Sequence, residues 1–224
     1  MTRKIGRKSI WVPLLSLIVV VVICAVWYFS SEQLALPKIR RIVLISLDTC
    51  RADYLSCYGY ERQTTPNIDA VAEEGVLFEN VISPIPQTLP AHSSMLTGTI
   101  PPYHGVHENV GGLLADKPNL TLAEILREAG FATGAAISTF VLDSQFGIDQ
   151  GFDTYQDHME TSLEGNSVAQ RQGGETTAVA LDWLADNKDE RFFFFLHYFD
   201  PHTNYEPPEP FASRFAQRPY VGEI

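Results

Sequence analysis

Hydrophobic and polar positions change register several times along this chain, and the changes predict its elements. Residues 10–29 read IWVPLLSLIVVVVICAVWYF, a run without a charge that follows the basic stretch TRKIGRK. A run of that length matches one membrane-spanning helix with its basic end held inside, and Trp27, Tyr28 and Phe29 suit an interfacial aromatic belt. A cleaved signal peptide would have a shorter apolar stretch and a small-x-small site after it; the residues here do not supply that site, so an uncleaved anchor is expected. The organisation read from this is a cytoplasmic basic segment at 1–9, the anchor at 10–29, a tether at 30–40 and a body at 41–224.

Within the body the pattern alternates between strand and helix. Residues 41–47 (RIVLISL) form a continuous apolar run, as in a strand buried on both faces of a parallel sheet, and the run ends at Asp48. Residues 65–75 carry Thr65 as a cap, Pro66 at the first helical position and Gly75 after the last turn, which predicts a helix. A second strand is expected at 76–81, an amphipathic helix at 120–130, a third strand at 131–137, a helix at 178–187 and a fourth strand at 191–196. Residues 219–224 read as the start of another helix. This succession predicts an α/β fold, a largely parallel sheet flanked by helices. Sites in such sheets lie outside the carboxyl ends of the strands, so Asp48 and the segment His197-Tyr-Phe-Asp-Pro-His202 can converge there.

Composition agrees with a globular body: the 224 residues are 45% hydrophobic and 19% charged. The net charge of −11 is unevenly placed, because Arg3, Lys4, Arg7 and Lys8 precede the first acid, Glu32, and the rest holds 12 Lys+Arg against 27 Asp+Glu. Such a body repels phosphate backbones, so no nucleic-acid partner is expected. Cys24 lies inside the apolar run. Cys50 and Cys57 could form a pair in an exported setting or serve as two small half-buried residues.

The most specific segment is Thr88-Leu-Pro-Ala-His-Ser-Ser-Met-Leu-Thr-Gly98. It resembles the signature of the sulfatase family, within the alkaline phosphatase superfamily: Cys or Ser, any residue, Pro, Ser, Arg, three residues, then Leu-Thr-Gly. Val43-Leu-Ile-Ser-Leu-Asp48 looks like that family's first strand and metal-binding Asp, Cys57-Tyr-Gly59 like its following turn, Thr65-Pro-Asn-Ile-Asp69 like its first helix, and Pro201-His202 like its active-site Pro-His. The resemblance runs from about Ile42 to Pro208 and implies an alkaline-phosphatase-like fold with Thr88 in the nucleophile position. It also implies a divalent metal, calcium foremost with manganese or zinc as alternatives, held by Asp48 and Thr88. His197, Asp200 and His202 have the residue types of a partial metal site, with Asp200 as its carboxylate, or of a strand-end hydrogen-bond network. His202 is the candidate general acid, and His92, one helical turn from Thr88, a candidate contact to the ester. His104 and His107 fall on a loop rich in Pro and Gly, where a solvated position is expected.

Thr88 is also placed for chemistry by its position relative to a helix start. A Thr two residues before a Pro that opens a helix offers its hydroxyl at the positive end of that helix, where an anionic ester is favoured; a plain cap is the competing use. Departures from the family pattern then bear on the chemistry. Sulfatases convert Cys or Ser to formylglycine, whose hydrate expels sulfate by collapsing to the aldehyde, and Thr88 cannot form that aldehyde. A phosphothreonine, by contrast, is discharged by a second in-line attack on phosphorus. The Arg of the signature is His92, the second Asp of an Asp-Asp pair is Thr49, and an expected Gly-Lys-x-His reads Gly134-Ala-Ala-Ile137. Phosphate or phosphonate esters are therefore preferred over sulfate.

The resulting expectation is a membrane-anchored, extracytoplasmic, metal-dependent ester hydrolase. Its substrate would be a sulfated or phosphorylated glycan or lipid head group. A transferase that modifies envelope glycans and a catalytically silent binding module are the alternatives. Since the family draws further metal ligands from a second half, these residues are expected to be the amino-terminal part of a longer protein with little activity alone.

Overall fold

The computed structural model describes residues 19–23, 39–159 and 169–224. Most of the anchor expected at 10–29, the segment 1–9 and most of the tether lie outside the described residues. Residues 19–23 are helical, and among the described residues no helix is long and apolar enough to cross a membrane.

The body, Arg40–Ile224, is built on four strands: β1 (Arg41–Leu47), β2 (Ala132–Ala136), β3 (Thr154–Gln156) and β4 (Phe192–Tyr198). They pair in the order β1-β4-β2-β3, every neighbour parallel. Between and around them run α1 (Pro66–Glu74), α2 (Thr88–Thr97), α3 (Pro101–His104), α4 (Leu122–Glu128), α5 (Gly173–Asp186), α6 (Phe211–Arg214) and α7 (Pro219–Glu223).

β4 is the central strand in packing as well as in order. Its side chains alternate across the sheet, as a strand requires. Phe193 and Phe195 join Leu89 and Leu96 of α2 and Ala123 of α4 in one core, while Phe192, Phe194 and Leu196 join Ala180 of α5 in the other. Burial of aromatic surface on both faces is the main stabilising term here, each such ring contributing roughly 1.5–3 kcal/mol. α4 starts on a capping box: Thr121 Oγ1 accepts from the Glu124 amide at 3.1 Å, and Glu124 Oε2 accepts from the Thr121 amide at 2.8 Å.

Four expectations are corrected. Among the described residues β1 pairs with β4 alone and only one of its faces is covered: Ile42 and Leu44 pack inward, whereas Val43 and Ile45 are 46% and 55% exposed. Residues 76–81 form no strand. No described strand pairs with them, and Val76 and Val81 are each 78% exposed, so an apolar run without a ladder partner stays irregular. β3 was not foreseen, since three residues Thr-Tyr-Gln give no periodicity. α5 begins at Gly173, five residues before its apolar pattern does, because a distant carboxylate serves its first turn: Asp200 Oδ2 accepts from the Gly173 amide at 2.9 Å. Cys50 and Cys57 are free thiols.

The small residues of β2 have a steric cause. A Cβ on Gly134 would lie 2.4 Å from Cε2 of Trp183, whose indole packs against Phe192 and Phe194. Gly134→Ala is therefore expected to destabilise the body by about 1–3 kcal/mol in urea unfolding, and a variant as stable as the parent would show that α5 can shift freely.

Candidate active site

β1 and β4 end side by side, with Ser46 opposite His197 and Leu47 opposite Tyr198. The chain leaves β1 through Asp48, whose amide donates to the Tyr198 carbonyl at 2.9 Å, so the ladder continues for one more bond. Thr49 then takes the left-handed region at φ 54°, and its hydroxyl donates to the Pro201 carbonyl. This turns the Asp48 side chain toward α2.

α2 supplies the hydroxyl. Its N-cap is Gln87, so Thr88 is the first helical residue and not the cap. Thr88 Oγ1 donates to Asp48 Oδ2 at 3.0 Å. The donors of the first turn are largely used: the Leu89 amide donates to Asn109 Oδ1 at 2.9 Å, the Ala91 amide to the Gln87 carbonyl at 3.0 Å, and Pro90 has none. The amide of Thr88 itself is what remains at the positive end of the helix.

His92 locks α2 to β1. Its Nδ1 faces the Thr88 carbonyl at 2.7 Å and its Nε2 faces Ser46 Oγ at 2.8 Å. A carbonyl can only accept, so Nδ1 carries the proton and Nε2 accepts from the Ser46 hydroxyl, which fixes one neutral tautomer. Burial, with His197 adding to it, pushes the His92 imidazole down to about 4. Expected as a contact to the ester, His92 is instead 4% exposed with both nitrogens committed inside the protein.

His197 completes the group. It is fully buried, its ring lies edge-on to His92 at 4.9 Å, and Nε2 is 3.6 Å from Asp48 Oδ2, too long for a hydrogen bond. Among the described residues neither ring nitrogen has a hydrogen-bond partner. Burial alone would raise the Asp48 carboxyl; His197, then His92 and the Thr88 hydroxyl, outweigh it and hold the carboxyl below the ordinary carboxylate range. Asp48 is thus an anion that accepts from Thr88.

The other candidates stand outside this group. Asp200 gives its carboxylate to the amino end of α5 and lines a cavity of about 700 Å³ between α1, α5 and α7, instead of joining Asp48. His202 is half-buried, stacks on Phe199 at 4.2 Å and donates from Nδ1 to the Thr203 carbonyl at 2.9 Å. His104, expected on a solvated loop, is buried: its Nδ1 accepts from the Val106 amide, so Nε2–H donates to Ser94 Oγ at 2.9 Å and braces α2 against α3. His107 is exposed.

A divalent metal does not fit the described residues on their own. Asp48 and Thr88 offer one carboxylate and one hydroxyl, a hard cation takes six or more oxygens, and among the described residues no three His, Cys, Asp or Glu side chains gather as a metal site.

Sequence reasoning missed Ser46 and Asn109, whereas the meeting of His197 with Asp48 is the convergence expected at the strand ends. Asn109 is of a capping residue type, but it serves a helix twenty positions away and so carries no local signal.

The sulfatase family model matches residues 40–223. Arylsulfatase A of Homo sapiens is 35% identical over 112 residues, covering 47% of this chain and 22% of its own length. An N-acetylglucosamine-6-O-sulfatase of Bacteroides thetaiotaomicron is 26% identical over 193 residues, 80% of this chain and 33% of that protein. Among solved structures, a phosphonate monoester hydrolase of Agrobacterium radiobacter superposes with a TM-score of 0.63 at 24% identity over 79% of this chain and 44% of that one. The chain thus spans between a fifth and a third of the length of these curated relatives.

The buried His92 makes stability depend on pH. An unfolded chain takes up this proton near pH 6.5 and the folded one near 4, so acidification through that interval favours unfolding, by on the order of 3 kcal/mol in all. Asp48, held low, acts in the same sense only below about pH 4. Urea unfolding from pH 7 to 4 is expected to show this loss and His92→Gln to flatten it, with a residual slope from His104, whose imidazole burial lowers likewise. An unchanged slope in His92→Gln would refute the assignment.

Proposed function

Because this chain belongs to the sulfatase family, we propose that its body is an ester hydrolase module that uses the Thr88 hydroxyl as nucleophile and favours phosphate or phosphonate monoesters over sulfate esters. The observation that carries this reading is the 3.0 Å hydrogen bond from Thr88 Oγ1 to the ionised Asp48 carboxylate at the amino end of α2. It aims a hydroxyl at the place where the helix dipole attracts an anion.

In this reading Thr88 Oγ attacks phosphorus and its proton passes by way of Asp48 to solvent. The bond from phosphorus to the leaving oxygen breaks as the new Oγ–P bond forms, and the leaving oxygen takes up a proton from His202 Nε2, the ring nitrogen not engaged with the Thr203 carbonyl. Water then attacks the phosphothreonine in line, releasing phosphate and restoring the Thr88 hydroxyl. A Thr sulfate would need the same second attack at sulfur, without the aldehyde exit that formylglycine provides. His92 serves as a positioning residue: it holds the Thr88 carbonyl and Ser46, and so the distance between α2 and β1. Sulfatases generally depend on a divalent metal, but the steps above are written for the residues present.

Two sequence features support the setting. The uncharged run at 10–29 behind four basic residues suits a tether that keeps the module outside the cytoplasm, and the acidic body suits a substrate held by few cationic groups.

Incubation with p-nitrophenyl phosphate, a phenylphosphonate monoester and p-nitrophenyl sulfate, followed by peptide mass spectrometry, tests the reading. A phosphoryl adduct on Thr88 is expected from the phosphorus esters, absent in Thr88→Ala and at least ~100-fold slower to form in Asp48→Asn. Turnover that survives Thr88→Ala, or an adduct confined to another residue, would remove Thr88 from the role.

A further inference from the structure

The turn that presents Asp48 is held from the far end of the chain, and we propose that Tyr220 is a positioning residue for it. Thr49 is the only non-glycine at positive φ among the described residues, and a β-branched side chain rarely adopts that region unless its surroundings impose it. The hydroxyl of Tyr220, in α7, makes both hydrogen bonds that close this turn. It accepts from the Arg51 amide at 2.8 Å and donates to the Thr49 carbonyl at 2.9 Å, so one oxygen bridges the backbone on either side of Cys50.

The ring behind that hydroxyl is itself fixed. Tyr54 and Tyr205 meet it at 5.1 and 5.2 Å, both at steep angles, and Tyr60 stacks on Tyr54 at 5.0 Å. With the Asp48 amide on the Tyr198 carbonyl and the Thr49 hydroxyl on the Pro201 carbonyl, the residues after β1 are pinned on one side by the end of β4 and on the other by α7. Tyr220 touches neither Thr88 nor the Asp48 carboxylate, so it acts through the backbone. Its effect on catalysis rests on the hydrolase reading above; the closure of the turn does not.

Cys50, a free half-buried thiol inside the bridged turn, reports on it directly. In a Cys24→Ser, Cys57→Ser background, Tyr220→Phe keeps the ring and removes both bonds, and its Cys50 is expected to react with an aromatic disulfide reagent roughly tenfold faster. Tyr205→Phe, which removes a hydroxyl from the same cluster, is expected to leave that rate unchanged. Equal rates in Tyr220→Phe and the parent, or equal acceleration in both variants, would overturn the proposal. Hydrogen exchange on the unmutated chain gives a second reading that no misfolded variant can confuse: the Arg51 amide should be protected, and free exchange there would also overturn it. Where aryl phosphate turnover is present, kcat should fall in Tyr220→Phe with KM unchanged, and a rise in KM alone would rule out a positioning role. Absence of turnover in parent and variant alike bears only on the hydrolase reading.

Discussion

The pairing of β1 with β4 is the constraint on which the site depends. Side chains alternate across a strand, so the register that sets Ser46 beside His197 also decides which face carries Ser46, His197 and, two residues on, the departing Asp48. A slip of one residue would turn Ser46 away from His92 and carry the Asp48 turn away from α2. The aromatic run of β4 guards against this, because Phe193 and Phe195 belong to one core and Phe192 and Phe194 to the other, and a shifted strand would have to repack both.

Around that ledge the molecule keeps His92 neutral and its carboxylate charged. His92 is held without a positive charge by burial and by hydrogen bonds that need a particular tautomer, which leaves Asp48 as the fixed charge nearest the hydroxyl. Positions where the family pattern has other polar groups are given over to structure here: Ala135 and Ile137 are buried in the core, Thr49 ties the turn to Pro201, and His92 ties α2 to β1. These changes point the same way as the Thr at position 88. In the proposed reading, a hydroxyl that cannot become an aldehyde stands where, at the matched positions, the family's sulfate-contacting Arg, Lys and His are replaced by His92, Ala135 and Ile137.

Much of the fold was legible where a signal is local. The apolar runs of β1 and β4, the Pro that opens α1 and the amphipathic stretch of α4 are each written within a few residues, and the structure has these elements in place. The signature around Thr88 led to Asp48, since a family pattern carries spacing across the chain. What could not be read was decided by partners far away in sequence. The first turn of α5 depends on Asp200, residues 76–81 have no strand to pair with among the described residues, and no described element covers the face of β1 that carries Val43 and Ile45. His92 was legible as a neighbour of Thr88 but not as a buried brace, because burial depends on what packs above it. Arg51 and Tyr220 meet across 169 residues, a contact with no imprint on either local sequence.

The crowded first turn of α2 has a consequence for recognition. Asn109, the Gln87 carbonyl and Pro90 between them take or remove most of the handholds that a helix start ordinarily extends to an anion. What the helix still projects is its field. A field without a ring of donors does not grip individual oxygens, and its attraction grows with the ligand's total charge. In the proposed reading the helix start therefore draws an ester by its charge, with the ionised Asp48 beside it opposing part of that pull.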